Sequence, residues 1–511
     1  MTLTQARSEN GANFNRIMVT VSVMLATIMQ ALDTTIANVA LPNMQGAMGA
    51  TQDQISWVLT SYIVAAAICM PLTGFIAGKF GRKRLFLWSV VGFTVASVLC
   101  GMAQSLNQII LFRLLQGVFG ASLVPLSQAI LLDSYPREKH GAAMAMWGVG
   151  VMVGPILGPF LGGLLTEYYS WRWVFYINVP FGILAWLGIT GFVKETTLQA
   201  ERKFDFFGFF LLAIGIGALQ MMLDRGETLD WFNSLEVVIE CGLAVLGLYM
   251  FIVHINTHHS PFIDTRLFRD RNFAVGLVFI FVVGVILLAT MALLPPFMQN
   301  LMGYPVVDVG TVLAPRGFGT MAMMLVVGRL SGKVDPRIFI FVGLSLVAFS
   351  MWEMTHFTLD STSADIIRTG MVQGAGLGLT FVPLSTVAFA TLDPSLRTEA
   401  SSLFSLLRNI GSSIGISIVS TYLIQQTQVN HAIFSESINP FNLGLSLAEQ
   451  ASVYSTQSTA GLVALNSMVT GQAATMAYLQ DFRMMMWVTI AALPLVLLLG
   501  GTAKPTSTKM A

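Results

Sequence analysis

Apolar stretches of about 20 residues, nearly free of charge, recur along the whole chain and are separated by short polar segments. A stretch of that length crosses the hydrocarbon layer of a bilayer as an α-helix. The pattern predicts spans near 17–40, 54–78, 85–104, 108–132, 141–165, 173–193, 206–223, 236–256, 273–298, 308–331, 338–356, 366–391, 399–424 and 478–500. That makes fourteen, an even number, so both termini are expected on one side. A polar stretch rich in Gln, Ser and Asn, 425–477, reads as a long loop before the last span.

Composition supports this reading. Of 511 residues, 55% are hydrophobic and only 10% are charged, too few to give a core of this size a water-facing surface. A bilayer removes that requirement. The net charge of +1 excludes a broad nucleic-acid surface. Cys69, Cys100 and Cys241 lie in apolar stretches without ligand spacing, and no metal site is expected. The first apolar run contains Asp33 and is too long for a secretory signal, so it is read as a retained span.

Lys and Arg placement sets orientation. One set of loops holds Lys79, Arg82, Lys83, Arg84, Arg137, Lys139, Lys194, Arg202, Lys203, Arg266, Arg269, Arg271, Lys333, Arg337 and Arg397. The opposite set holds little beyond Arg172, Arg225, Arg368 and Arg483. The first set and both termini are therefore expected in the cytoplasm, and 425–477 outside it.

The chain also resembles itself. Gln116-Gly117 recurs as Gln373-Gly374, 257 positions on, and Val124-Pro-Leu-Ser127 recurs as Val382-Pro-Leu-Ser385, 258 on. Leu132-Asp133 recurs as Leu392-Asp393, 260 on, and Gly74-x-x-x-Gly78-Lys79 as Gly328-x-x-x-Gly332-Lys333, 254 on. Four matches in one order imply two six-helix halves, 1–200 and 266–511, joined by two additional helices within 201–265.

These segments resemble motifs of the major facilitator superfamily. Gly74 to Arg84, with Lys79, Gly81, Arg82 and Lys83, is similar to its loop motif between helices two and three. Arg113-Leu-Leu-Gln116-Gly117 resembles its fourth-helix motif. The series Gly150, Gly154, Pro155, Gly158, Pro159, Gly162, Gly163 resembles its antiporter motif, and Leu32 to Pro42 that of its fourteen-span drug:proton antiporters. Leu223–Trp231 and Ile438–Asn442 are similar to segments of multidrug exporters of Gram-negative inner membranes. The resemblance implies a major facilitator fold and export of apolar or amphipathic compounds in exchange for protons. No cofactor is expected, the proton gradient being the drive; a periplasmic membrane-fusion adaptor and an outer-membrane channel are the implied partners. The family's loop motif carries an acid where this chain has Gly78, so its basic cluster stands without that partner.

Asp33 is the leading coupling candidate, because an ionised carboxylate within a span needs a partner or a proton. Thr34, Thr35 and Asn38 could instead anchor it by hydrogen bonds. Arg113, with Gln116 one turn on, could hold a nearby carboxylate ionised or serve backbone carbonyls. The glycine–proline series reads as a close-packed, kinked hinge between the halves, or as ordinary small-residue packing. In the second half Arg316, Gln373 and Arg408 are candidates, without an evident counterpart of Asp33. Primary ATP-driven pumping is excluded: Gly74-x-x-x-Gly78-Lys79 has three intervening residues rather than four and no following Ser or Thr. The few polar groups in the spans disfavour a polar-nutrient importer, and no nucleophile, base and metal set suggests an enzyme.

Overall fold

The computed structural model describes residues 3–196, 203–258, 261–438 and 458–499. Thirteen helices among them are long and apolar enough to cross a membrane, a bent pair makes a fourteenth span, and each overlaps a stretch that hydropathy predicted. They are α1 (Phe14–Met48), α2 (Gln54–Cys69 and Leu72–Phe80), α3 (Arg82–Met102), α4 (Leu106–Ser134), α5 (Arg137–Tyr168), α6 (Trp173–Phe192), α7 (Phe206–Arg225) and α8 (Leu235–Thr257). The second half continues with α9 (Arg271–Leu301), α10 (Asp308–Leu330), α11 (Pro336–Met354), α12 (Ser363–Ala390), α13 (Pro394–Ser435) and α14 (Thr459–Leu498). Helix α2 bends by 57° at its break, where Pro71 lacks the N–H that would continue the ladder.

The two halves interlock by exchanging equivalent helices. The second helix of each packs on the fifth helix of the other. A Cβ on Gly74 of α2 would lie 2.8 Å from the Glu399 Cα of α13. On the opposite side, Gly328 of α10 lies against Ala142 and Ala145 of α5. The repeated glycines thus mark matching close approaches of backbone. Trp147 of α5 also stacks on Phe381 of α12, with ring centroids 5.9 Å apart.

One buried apolar cluster joins both halves at the basic end, drawing Phe75, Leu131, Met144 and Trp147 together with Phe273, Phe389 and Phe404. Away from that end each half has its own cluster, around Ile55, Ile109 and Phe175 in the first and Phe297, Met351 and Phe482 in the second. The halves are therefore closed against each other at the basic end. Helices α7 and α8 pair through Gly215 and Gly247 and lie along the α2–α13 seam, where Gln220 donates to the Ser413 hydroxyl (2.8 Å) and the Trp231 indole to Thr421 (3.0 Å).

The 425–477 stretch differs from the expected loop. Helix α13 continues to Ser435 and α14 begins at Thr459, so the chain leaves and re-enters the membrane as two helical extensions. Asn430 donates to the Ala473 carbonyl (3.3 Å), and His431 meets Asn466 (3.1 Å) across the pair. Hydropathy reads the membrane span, not the helix, and these polar turns stay helical by pairing with each other. Of the Ile438–Asn442 segment, all but Ile438 lies outside the described residues.

Candidate functional site

Asp33 is 0% exposed and Arg113 1% exposed, and they meet in the interior of the first half. Arg113 Nη1 donates to Asp33 Oδ2 at 2.7 Å, while Gln116 Nε2 donates to Asp33 Oδ1 at 2.8 Å. Asn178 Nδ2 of α6 donates to the same Oδ1 at 2.8 Å and to the Ser97 hydroxyl at 2.9 Å. Arg113 also donates from Nη1 to Gln116 Oε1 (2.8 Å) and from Nε to the Val58 carbonyl (3.1 Å). The Tyr62 ring covers the guanidinium at 4.5 Å. Five helices thus supply one connected network around the buried ion pair, with only the Asn178 Oδ1 among its side-chain oxygens left without a donor.

The structure brings Asp33, Arg113 and Gln116 together and leaves Asn38 out. Asn38 lies five residues on along the same helix, about 140° around it, and is exposed. Thr34 and Thr35 do not anchor Asp33; their hydroxyls donate to carbonyls of the preceding turn at 3.0 Å. Sequence reading missed Asn178 and Ser97. The one signal for Asn178 was a lone amide within an otherwise apolar span.

The glycine–proline series corrects the expected inter-half hinge. Gly150 faces Met24, Gly154 faces Ala31, Gly158 faces Thr35 and Gly162 faces Val39, so this stripe seats α1 inside the same half. Thr35 completes the contact by donating to the Gly154 carbonyl at 3.1 Å. Gly163 has open space where a Cβ would sit. Helix α5 runs unbroken through Pro155 and Pro159, and its contacts with the other half come instead from Gly141, Ala145, Gly148 and Ile156, which meet Ser331, Gly328, Met324 and Gly317.

The loop motif forms a second polar centre at the basic end. Arg82 is paired with Asp133 of α4 and donates from Nη2 to the Pro394 carbonyl at 3.0 Å. From the other half, Arg397 Nη1 reaches Asp133 Oδ1 at 2.6 Å. One carboxylate therefore joins two arginines across the seam, beside a Ser401–Gln128 hydrogen bond of 2.6 Å. The acid absent at Gly78 is supplied from α4. Gly81 has φ +96°, a conformation glycine adopts without strain, and the Glu195 carboxylate sits over it, accepting from the Lys83 (3.0 Å) and Arg84 (3.1 Å) amides. Lys83 Nζ donates to the Thr190 carbonyl at 2.8 Å, and Lys79 lies 5.9 Å from the Phe75 and Phe80 ring centres.

In the second half Arg316 is buried and donates to the Leu287 carbonyl (3.3 Å) and Thr290 (3.1 Å). Gln373 is buried with its Nε2 3.7 Å from Met351 Sδ. Neither Arg316 nor Arg408 forms an ion pair among the described residues. Asp205, His254 and His258 bring potential ligand atoms within 4.8 Å of one another at the basic end. Burial pushes the Asp205 carboxyl up, but hydrogen bonds from the Gly208 amide, His254 and the Phe262 amide outweigh it and hold the group below its ordinary value. We read this group as a clamp joining α7, α8 and the entry to the second half.

The sequence profile described as Major Facilitator Superfamily matches residues 23–416. The multidrug export protein EmrB of Escherichia coli (strain K12) is 39% identical over 428 residues, covering 83% of this chain and 84% of that protein. The fatty acid resistance protein FarB of Neisseria gonorrhoeae is 38% identical, with 84% of each chain covered. Among solved structures, the human organic anion transporter MFSD10 superposes with a TM-score of 0.59 at 14% identity, covering 93% of this chain and 99% of that one.

Proposed function

The chain belongs to the major facilitator superfamily, and on that premise we propose that it is a proton-coupled multidrug efflux transporter of a bacterial inner membrane. Its substrates are apolar or amphipathic compounds, exported by alternating access between the halves. The named export and resistance functions of its relatives support this reading, as does the apolar character of the spans. The positive-inside rule puts the basic end and both termini in the cytoplasm. On that orientation the described state is closed to the cytoplasm.

The network around Asp33 carries the coupling argument. Protonating Asp33 cancels its charge and weakens three charge-assisted hydrogen bonds at once, those from Arg113, Gln116 and Asn178. Helix α1 is keyed to α5 by Gly154 and Gly158, and α5 packs on α10. A shift of α1 that accompanies protonation is thereby passed to the seam between halves. The paired extensions of α13 and α14 expose Val429, Ile433, Leu462 and Val463 beyond the expected outer surface, a face suited to a periplasmic adaptor that leads to an outer-membrane channel.

Everted vesicles test the reading. Apolar substrates should be taken up only while a proton gradient stands, and adding substrate should release protons. Asp33→Asn should abolish uphill transport while the protein stays in the membrane; full transport by that variant would refute Asp33 as the coupling group.

A further inference from the structure

The second half repeats the backbone of the first around Gln373 but redistributes the charges. Gln373 of α12 stands 257 positions after Gln116, and Gly370 stands where α4 carries Arg113. Gly374 packs on the Arg316 carbonyl of α10 as Gly117 packs on the Tyr62 carbonyl of α2, 254 positions earlier. The same offset puts Leu287 where α1 carries Asp33, and Met351 where α3 carries Ser97. The site therefore loses its acid on the first helix and its arginine on the fourth.

An acid returns on the sixth. Helix α14 is the last of its half, as α6 is of the first, and where α6 buries Asn178, α14 buries Asp481. Asp481 is 0% exposed, and neither carboxyl oxygen has a hydrogen-bond partner. Tyr478, Phe482 and Met485 flank it on α14 and belong to a buried apolar cluster with Ile286, Met351, Leu377 and Val419. The amide oxygen of buried Gln373 also lacks a donor.

The charged and titratable groups on neighbouring helices are engaged elsewhere or form no ion pair with Asp481. Glu353 of α11 is paired with Arg368 at 3.1 Å. Arg397 of α13 is held by Asp133 at the basic end, Glu399 lies there too, and His431 meets Asn466 in the outer extension. Arg271 of α9 and Arg337 of α11 donate to the Leu498 and Leu499 carbonyls, also at the basic end. Arg408 and Tyr422 of α13 make no hydrogen bond to Asp481, Arg483 is exposed two residues on, and Tyr478 lies three residues back on α14 itself. An ionised carboxylate here would have neither water nor counter-charge, and a bound proton removes that penalty.

We propose that Asp481 is a second proton-carrying carboxylate, loaded in this state and emptied when the halves re-pack, so that each export cycle moves one proton through each half. On emptying, the carboxyl O–H bond breaks and the proton passes to water on the cytoplasmic side. The carboxylate is reloaded from the opposite side when the cytoplasmic end closes. This rests on the proton-exchange reading above.

The test uses the full-length protein in proteoliposomes with two readouts. Infrared spectroscopy at neutral pH should show a protonated-carboxyl band that persists in Asp33→Asn and disappears in Asp481→Asn. Counting protons released per substrate molecule, Asp481→Asn should fall to about half the parent value, and Asp481→Glu should restore it. An unchanged band and proton count in Asp481→Asn would overturn the proposal. If parent transport ignores the proton gradient, the exchange reading fails and the coupling role of Asp481 with it. A band that still vanishes in Asp481→Asn would then mark that failure as one of coupling, not of Asp481 protonation.

Discussion

Replacing Asp133 by Asn removes the one carboxylate that joins Arg82 and Arg397 across the seam at the basic end. Both arginine side chains are largely buried, at 9% and 7% exposure, whereas Asp133 is 29% exposed. A hydrogen bond between charged groups contributes about 1.5–3 kcal/mol, and the partial exposure of Asp133 argues for the low end. Only the Arg397 contact crosses the seam, so losing the charge should destabilise the closed arrangement by about 1.5 kcal/mol. That corresponds to a shift of about 10-fold toward the arrangement open at the basic end. Ser401, buried beside the seam on Gln128, is the reporter: Ser401→Cys is introduced after replacing Cys69, Cys100 and Cys241. Alkylation by an impermeant maleimide in everted vesicles should accelerate by the same factor in Asp133→Asn. Arg397→Gln should act in the same direction and to a similar extent, because the Arg82–Asp133 pair lies within the first half and does not cross the seam. Unchanged alkylation, with coupling between the two substitutions below about 0.5 kcal/mol, would refute the lock.

Two further outcomes follow from packing and hydrogen bonding. Gly154→Val should cost roughly 1–3 kcal/mol by forcing α1 off α5, read as a lower melting temperature in detergent, while Gly163→Val, facing open space, should leave it unchanged. Asn178→Leu removes a donor from Asp33 Oδ1 and should cost about 1–3 kcal/mol and impair uphill transport, whereas the exposed Asn38→Leu should do neither; stability and proteoliposome uptake measured side by side would separate the two.

Hydropathy sufficed for the membrane spans, though not for the helical extensions of α13 and α14, because a bilayer imposes one length and one composition on every span. The repeat gave the halves, and the same glycines that revealed it, Gly74 and Gly328, mark the two seams. Asp33 and Arg113 were legible singly, since each is a charge within a span. Their union was not, because 80 residues separate them and pairing is a property of the packed helices. Asn178 escaped because a neutral amide costs little in a hydropathy window, and Asp481 because the apolar residues around it outweigh one acid. The glycine series showed that α5 has a flat face, but not that α1 rather than the other half occupies it. Small residues specify closeness, and the partner is chosen by the fold.

Helix α13 runs 42 residues from Pro394 to Ser435 without an internal proline. At 1.5 Å per residue it is a strut about 60 Å long, roughly twice the thickness of the hydrocarbon layer. Its foot carries Arg397 in the ion-pair lock at the basic end, and its tip stands in the extension at the opposite end. A tilt of about 10° at the foot sweeps the tip through about 10 Å. The helix is thus a lever that magnifies the state of the seam at the basic end and displays it on the far side of the membrane, to whatever rests against that tip.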